Sequence, residues 1–344
     1  MSIKPPILLR MSLPRLLLIA TGGTIASQAA DATQTGRYAA ATLGAASLLQ
    51  ALPSLQGLAQ IEVEQPYAIG SEHLHSSHWM RLCTRIRQAQ QDQGLRGMVL
   101  THGTDTLEET ALVLDLLCER RVPVVITGAM RPASALSADG PMNLQAAVHT
   151  ALSEGAQGAG VMVLMNDQVL APDRAWKTHS SRVDAFAARE AAPLADLQDA
   201  HPRWQGSAQA RAQARPSLTK ALPALPEALP RVDLIAAHVD MDPAIIGWLV
   251  AQGAGGLVLA GTGHGTLAAP VQAAVREATR AGCVVVRASR VPYGAVWPNA
   301  GLDDAGLGTL AAGHCTPHKA RTVLSLALAA GLNTDGIQAL LLRL

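Results

Sequence analysis

A series of short apolar runs, alternating with longer amphipathic segments, places the strongest constraint on how this chain folds. The runs are continuously apolar, a pattern typical of strands buried on both faces of a parallel sheet covered by helices. The segments between them, such as 106–121 and 268–281, repeat apolar residues every three or four positions, which predicts helices. This alternation predicts an α/β fold. The predicted strands are Leu16–Ala20, Gly97–Thr101, Val122–Thr127, Gly160–Leu164, Val232–Ala236, Gly256–Ala260 and Cys283–Arg287.

A proline-rich stretch at Pro202–Pro230 divides the chain unequally, because apolar periodicity is weak there. We therefore predict an N-terminal domain over 11–205, a linker over 206–231 and a C-terminal domain over 232–344. A chain of 344 residues is long enough for two domains of ordinary size. We expect the larger N-terminal domain to hold a mainly parallel sheet covered by helices, and the smaller C-terminal domain to be α/β as well.

Charge and composition exclude several classes of protein. Lys and Arg number 27 and Asp and Glu 26, so the net charge of +1 gives no attraction for nucleic acid or an anionic membrane. Aromatic residues make up 3%, which is too few for platforms that stack bases. The cysteines contain no CxxC pair, so we predict buried thiols and no metal site. They are Cys83, Cys118, Cys283 and Cys315.

The N-terminal segment favours a cytoplasmic protein. Its apolar run, Leu16–Ala20, is too short for a membrane span and leads directly into the glycines Gly22 and Gly23. Small residues at 26–29 are similar to a signal-peptide cleavage site, but cleavage there would remove the glycine turn. Both Met1 and Met11 stay open as the start of the protein.

Polar turns that contain glycine follow the first predicted strands. They are Thr21–Thr24, His102–Thr106 and Gly128–Pro132. Ligands of open parallel sheets bind beyond the carboxyl ends of the strands, so we expect these turns to converge on one cleft.

Two of these turns carry hydroxyl groups with alternative roles. Thr24 is either an exposed nucleophile after a sharp glycine turn or simply the cap of a helix. Thr104 and Asp105 either form a reactive pair or, with Glu108, a capping box at a helix start. The reactive alternative needs a cation, and Lys177 is the candidate, since a buried lysine can serve as a base.

Several motifs in order along the chain give a more specific prediction. They are ATGGTIAS at 20–27, IGSE at 69–72, THGTDTLEET at 101–110, GAMRP at 128–132, SADGPMNL at 137–144, KT at 177–178 and RVP at 290–292. With them the sequence resembles the bacterial-type L-asparaginase/glutaminase family from about Leu16 to Leu344. The first and third motifs match the two threonine signatures of that family, and their combination is highly specific.

The resemblance implies a role for each matching residue. Thr24 matches the threonine nucleophile, and Tyr38 falls near the flap tyrosine that hydrogen-bonds it. Thr104, Asp105 and Lys177 match a second catalytic group of the family.

The substrate-binding residues are implied in the same way. Ser71, Glu72 and Asp105 match positions that hold the α-carboxylate and α-ammonium groups of the substrate. Ala129 matches a residue whose backbone contacts the scissile amide. Asp240, where other members often have asparagine, is expected to reach the α-ammonium group across a subunit interface.

The family resemblance implies a two-domain amidohydrolase that converts L-asparagine to L-aspartate and ammonia through a threonine nucleophile and an acyl-enzyme. It implies a homotetramer of close dimers and requires no metal or organic cofactor. Side activity on glutamine, or broad glutaminase-asparaginase specificity, stays open. One departure keeps a non-catalytic amino-acid sensor open as an alternative, because Gly301 stands where many members place a glutamate against the flap tyrosine. Asp303 and Asp304 are the nearby candidates to replace it.

Overall fold

Two separate β-sheets organise the chain in the computed structural model, which describes residues 13–36, 44–50 and 52–344. The N-terminal strands are β1 (Arg15–Ala20), β2 (Gln60–Glu64), β3 (Leu95–Thr101), β4 (Val124–Thr127), β5 (Val161–Met165), β6 (Gln168–Leu170), β7 (Ala175–Lys177), β8 (Phe186–Ala188), β9 (Ala195–Gln198) and β10 (His201–Trp204). Eight of them form one sheet in the order β10-β9-β6-β5-β4-β3-β1-β2, and β7 pairs with β8 as a separate antiparallel hairpin. Strands β1 to β5 pair in parallel, so the carboxyl ends of β1, β3 and β4 lie side by side.

Helices cover both faces of this sheet. They are α1 (Ala45–Gln50), α2 (Ser76–Ala89), α3 (Leu107–Leu117) and α4 (Gly140–Leu152), followed by α5 (Ala208–Ala214). Leucines of α3 pack with α2 against one face, while alanines of α4 pack against the other. Both faces of the central strands are therefore buried, as continuously apolar runs require.

The second sheet forms the C-terminal part of the chain. Its parallel strands are β11 (Val232–Ala236), β12 (Gly256–Gly261), β13 (Val284–Ser289) and β14 (Thr309–Ala311). The helices are α6 (Ala244–Ala251), α7 (Ala269–Arg280), α8 (Asp304–Leu307), α9 (Pro317–Ala329) and α10 (Thr334–Leu342). Helices α6 and α7 pack on one face, and α9 packs between the other face and α3. One continuous apolar core consequently joins the two sheets.

The predicted α/β class is confirmed, with a larger N-terminal part and a smaller C-terminal part. Each strand predicted from an apolar run is present, with its ends within two residues of the prediction. The helix predicted over 268–281 is α7, whereas that over 106–121 is shorter, because α3 ends at Leu117 and Cys118 turns to extended backbone.

Short strands with exposed residues were not predicted from the sequence. Strand β2 is an edge strand in which Gln60, Glu62 and Val63 are exposed, so it carries no continuous apolar run. Strands β6, β9 and β10 extend the opposite side of the sheet in antiparallel pairs of only a few residues. The first sheet is therefore mixed, although its central strands are parallel.

The segment predicted as a linker, 206–231, is packed over much of its length. It contains helix α5, and Arg215 beyond that helix donates to Asp115 through Nε at 2.7 Å and Nη2 at 2.8 Å, with both side chains buried. Leu218 and Leu222 join the apolar core. The division at 205 and 232 stays a prediction.

The cysteines are buried free thiols, as predicted: Cys83, Cys118, Cys283 and Cys315. A hydrogen bond with Cys83, together with burial, raises the pKa of the Cys118 thiol. Among the helices of the described ranges, none is long and apolar enough to cross a membrane.

Candidate active site

The turn after β1 brings Thr24 to the edge of the first sheet. Gly22 and Gly23 have φ angles of 103° and 82°, in the left-handed region that favours glycine. A Cβ on Gly23 would lie 2.4 Å from Cα of Gly103, so only a glycine allows the turns after β1 and β3 to touch. Thr24 follows as the first residue of a short 3-10 helix and is 8% exposed. Gly23 occupies the cap position, so the interpretation of Thr24 as a helix cap is wrong.

The turn after β3 carries the second hydroxyl group. Nζ of Lys177 donates to Oγ1 of Thr104 at 2.9 Å and to Oδ1 of Asp105 at 2.7 Å. The Lys177 side chain is 15% exposed, whereas 62% of the Asp105 side chain is exposed. The structure thus brings together the three residues that the sequence predicted as a group. Helix α3 has no side-chain cap, so the capping-box interpretation is wrong as well.

A buried carboxylate holds the backbone of Lys177 in place. Oε2 of Glu108 accepts a hydrogen bond from the backbone N–H of Lys177 at 3.2 Å, and Glu108 is 6% exposed. Burial raises the pKa of Glu108, and the nearby charge of Lys319 opposes that shift. From the sequence, Glu108 is predicted only as part of a helix cap, and its contact with Lys177 is not predicted because the two residues are far apart in the chain.

The turn around Ser71 is tied to the same place. Oγ of Ser71 accepts a hydrogen bond from N–H of Asp105 at 3.2 Å, and its backbone carbonyl accepts one from Thr106 Oγ1 at 3.0 Å. Ser71 is 4% exposed, while the carboxylate of the adjacent Glu72 stays largely exposed. The predicted substrate-binding residues Ser71, Glu72 and Asp105 therefore lie in two contacting turns.

The turn after β4 is held rigidly by residues of the SADGPMNL motif. Asp139 accepts the backbone N–H groups of Met130 and Arg131, each at 2.9 Å. Asn143 donates from Nδ2 to the carbonyl of Gly128 at 3.0 Å. Ala129 is fully buried between these bonds, which hold its backbone in place, and its contact with the scissile amide stays a prediction. In the sequence, only this motif pointed to Asp139 and Asn143. It did not predict that their side chains bond the backbone of the turn after β4.

Other predicted residues lie elsewhere. Tyr38 lies outside the described residues. Asp240 follows β11 in the second sheet, exposed in a turn with φ 57°, a region that Asp and Asn tolerate better than most residues.

The two aspartates near Gly301 are engaged in local contacts. Gly301 has φ 79°, which disfavours a larger residue there. Asp303 caps helix α8 by accepting from N–H of Gly306 at 3.0 Å. Asp304 pairs with the fully buried Arg287 through Nε at 2.5 Å and Nη2 at 2.6 Å. These carboxylates hold their own loop together, so they are poorly placed to replace the flap glutamate.

Both sheet domains match known family models. The model "Asparaginase, N-terminal" matches residues 15–210, and "Glutaminase/Asparaginase C-terminal domain" matches residues 231–341. The chain belongs to the asparaginase/glutaminase family. The resemblance predicted from the threonine motifs is thereby confirmed.

Named relatives of the family agree over nearly the whole chain. The L-asparaginase 2 of Escherichia coli (strain K12) is 36% identical over 328 residues, which cover 95% of this chain and 92% of that protein. A glutaminase-asparaginase of Acinetobacter glutaminasificans is 35% identical over 314 residues, covering 91% and 94%. The crystal structure of a probable cytoplasmic L-asparaginase from Campylobacter jejuni superposes with a TM-score of 0.88 at 34% identity, covering 96% of this chain and all of that one.

Within this asparaginase-family fold, the site combines groups suited to amide hydrolysis. A hydroxyl in a glycine turn, a second hydroxyl bonded to a lysine ammonium, and rigid turns with backbone N–H groups can supply a nucleophile, proton transfer and oxyanion stabilisation. The exposed carboxylates of Glu72 and Asp105 suit a cationic group on a substrate.

Proposed function

We propose that this protein hydrolyses L-asparagine to L-aspartate and ammonia, with Thr24 as the nucleophile. The observation that carries the proposal is the Lys177 ammonium group, which bridges Thr104 and Asp105 on a turn in van der Waals contact with the turn of Thr24. Membership of a family whose relatives are named L-asparaginase supports the same reaction.

The reaction proceeds through an ester of Thr24. Oγ1 of Thr24 attacks the side-chain amide carbon, its proton passes to the departing ammonia, and a β-aspartyl ester remains. Tyr38, predicted in the flap, assists this proton transfer. Water held by the Thr104 hydroxyl and Lys177 then attacks the ester, releases L-aspartate and returns a proton to Thr24. No cofactor enters this scheme.

The turns next to Thr24 bind the α-ammonium and α-carboxylate groups of the substrate. The carboxylates of Glu72 and Asp105 are exposed enough to meet the α-ammonium group, and Ser71 supplies a hydroxyl and a rigid backbone for the α-carboxylate. The backbone of Ala129, fixed through Asp139 and Asn143, contacts the scissile amide. In each of these contacts, the protein group has a charge opposite to that of the substrate group or forms a complementary hydrogen bond with it.

The active form is proposed to be a homotetramer of close dimers, with Asp240 of one subunit completing the site of another. The support is that Asp240 stands exposed on the second sheet, next to Val239, whose side chain is 85% exposed. Leu234, Ile245 and Trp248, near it in the chain, are exposed as well, and a group of exposed apolar residues is typical of an interaction surface where a single one is not.

We propose a cytoplasmic location. The Campylobacter jejuni relative carries that word in its name, which supports the proposal. A relative from Haemophilus influenzae is named periplasmic, so fractionation of the producing cells, with activity measured in each fraction, decides between the two compartments.

Broad glutaminase-asparaginase specificity is the second candidate, because relatives of that name match most of the chain. The decisive experiment measures ammonia release from L-asparagine and L-glutamine by the wild type and by Thr24→Ala in parallel. We expect turnover of asparagine that the variant loses by several orders of magnitude, and the ratio of the two wild-type rates gives the specificity. Folded wild-type protein without turnover would instead favour the amino-acid sensor.

A further inference from the structure

His102 lies where the turns of the site touch one another. The side chain is 1% exposed, and its backbone oxygen lies 2.6 Å from the place where a Cβ on Gly128 would sit. The next residue, Gly103, is the one that Gly23 approaches, and a Cβ on Gly103 would lie 2.7 Å from Oγ of Ser71. The backbone at 102–103 is therefore clamped by three turns, and any rotation of it moves the site.

Both ring nitrogens of His102 are engaged. Nδ1 lies 2.7 Å from the carbonyl oxygen of Gly103, and Nε2 lies 3.0 Å from Oγ1 of Thr110. A carbonyl oxygen only accepts hydrogen bonds, so the proton of the neutral ring is on Nδ1. Trp79 donates from Nε1 to Oγ1 of Thr110 at 2.8 Å, which leaves the threonine hydroxyl to donate to Nε2. The bonds thus run in one direction from Trp79 to Gly103.

The ring stays neutral during turnover near neutral pH. Burial lowers the pKa of His102 to about 4, although the bond to Gly103 acts in the opposite direction. A general base must take up a proton during turnover. The His102 ring stays unprotonated near neutral pH and both of its nitrogens already have hydrogen-bond partners, so it does not serve as the general base. Any effect of His102 on the reaction must therefore come from the positions in which its hydrogen bonds hold the neighbouring groups.

We propose that His102 is a positioning residue that fixes the plane of the Gly103–Thr104 peptide and so holds Thr104 beside Lys177. The peptide group is planar, so a fixed C=O of Gly103 also fixes the N–H of Thr104 and the direction of its Cα. The Thr104 hydroxyl is the group to which Nζ of Lys177 donates, and small displacements of such a pair are costly for turnover. The expected effect on turnover rests on the proposed function.

Two variants separate the two ring contacts. His102→Asn places an amide N–H near the position of Nδ1, so it keeps the donor to Gly103 and loses the contact with Thr110. His102→Gln places its amide near Nε2, so it keeps a partner for Thr110 and loses the donor to Gly103. Both substitutions are neutral and polar, which makes each the matched control for the other.

We expect His102→Asn to keep kcat within a few-fold of the wild type. His102→Gln should lose kcat by about 10- to 100-fold, with a smaller change in KM, because Thr104 is displaced. Thermal unfolding of both variants reports how much folded protein each assay contains. Equal losses of kcat in the two variants, or wild-type kcat in folded His102→Gln, would show that His102 only fills space.

A spectroscopic measurement tests the positioning without any turnover. In protein labelled with [15N]histidine and [15N]threonine, the His102 signals should show a proton on Nδ1 from pH 6 to 9. The Thr104 amide signal should shift in His102→Gln and stay close to its wild-type position in His102→Asn. A proton on Nε2, or an unmoved Thr104 signal in both variants, overturns the proposal. If the wild type hydrolyses no amide, the proposed function fails, while this result still decides the role of His102.

Discussion

At the scale of single residues, Lys177 offers a test in which activity and stability should separate. Its ammonium group bridges Thr104 and Asp105, but 62% of the Asp105 side chain is exposed and remains hydrated without it. Lys177→Met keeps the methylene chain and removes the charge. We expect kcat to fall by about 10²- to 10⁴-fold, the usual contribution of a group that transfers protons. The free energy of unfolding should change by only about 1 kcal/mol, because the exposed Asp105 partner stays hydrated when the ammonium group is removed.

The control for this change is Lys220→Met, because Lys220 is an exposed lysine outside the site. Lys177→Arg adds a second comparison. It keeps the positive charge, but its planar guanidinium group does not reproduce the contacts that one nitrogen makes with both Thr104 and Asp105. Steady-state assays and thermal unfolding check both. Normal turnover by Lys177→Met across neutral pH would remove this residue from the mechanism.

At the scale of elements, helix α9 of the second sheet anchors the strand that carries Lys177. Nζ of Lys319, 2% exposed, donates to the carbonyls of Pro172 at 2.8 Å, Asp173 at 3.2 Å and Ala175 at 2.5 Å. Burial lowers the pKa of Lys319, and the charge of Glu108 opposes that shift. Lys319→Met leaves these carbonyls without their donor and removes a positive charge near Glu108. We expect a loss of about 3–5 kcal/mol in the free energy of unfolding, because three carbonyl groups each lose a hydrogen bond from a buried, charged donor.

Because β7 loses its anchor in Lys319→Met, kcat should also fall in the protein that remains folded at low temperature. Arg321→Met is the matched control on α9. It removes one hydrogen bond to the carbonyl of Val232 at 3.2 Å and an ion pair with Glu109 at 3.8 Å, and Arg321 makes no hydrogen bond or ion pair with the described residues of β7. We expect it to lose about 1 kcal/mol and to keep kcat. Denaturant unfolding and assays of both variants compare the two effects, and unchanged kcat in Lys319→Met would show that β7 holds its own position.

The same elements show what a sequence can predict. Strands such as β1 and β3 are buried on both faces, so their apolar runs predict the strand ends to within two residues. The antiparallel strand β9 has exposed residues and only four positions, which leaves no comparable pattern. Thr24 and Lys177 were found through motifs, whereas the influence of the Lys319 charge on Glu108 depends on how α3 meets α9, which no local pattern encodes.

At the scale of the whole molecule, the proposed assembly makes activity depend on association. Val239 is 85% exposed in the single chain, so a charge there should leave the fold of each subunit unchanged. If another subunit covers this surface, Val239→Glu places a charge in an apolar contact and opposes association. We therefore expect it to sediment as smaller species and to lose activity in parallel, while circular dichroism stays that of the wild type.

Asp240→Ala should behave differently, because the contact proposed for Asp240 is with the substrate ammonium group and not with another subunit. We expect it to keep the sedimentation coefficient of the wild type and to raise KM for L-asparagine by about 10- to 100-fold, the equivalent of one hydrogen bond to a charged group. Sedimentation velocity and assays at matched concentrations distinguish the two variants. Full activity in dissociated Val239→Glu would mean that one chain contains a complete site, and an unchanged KM in Asp240→Ala would remove this residue from substrate binding.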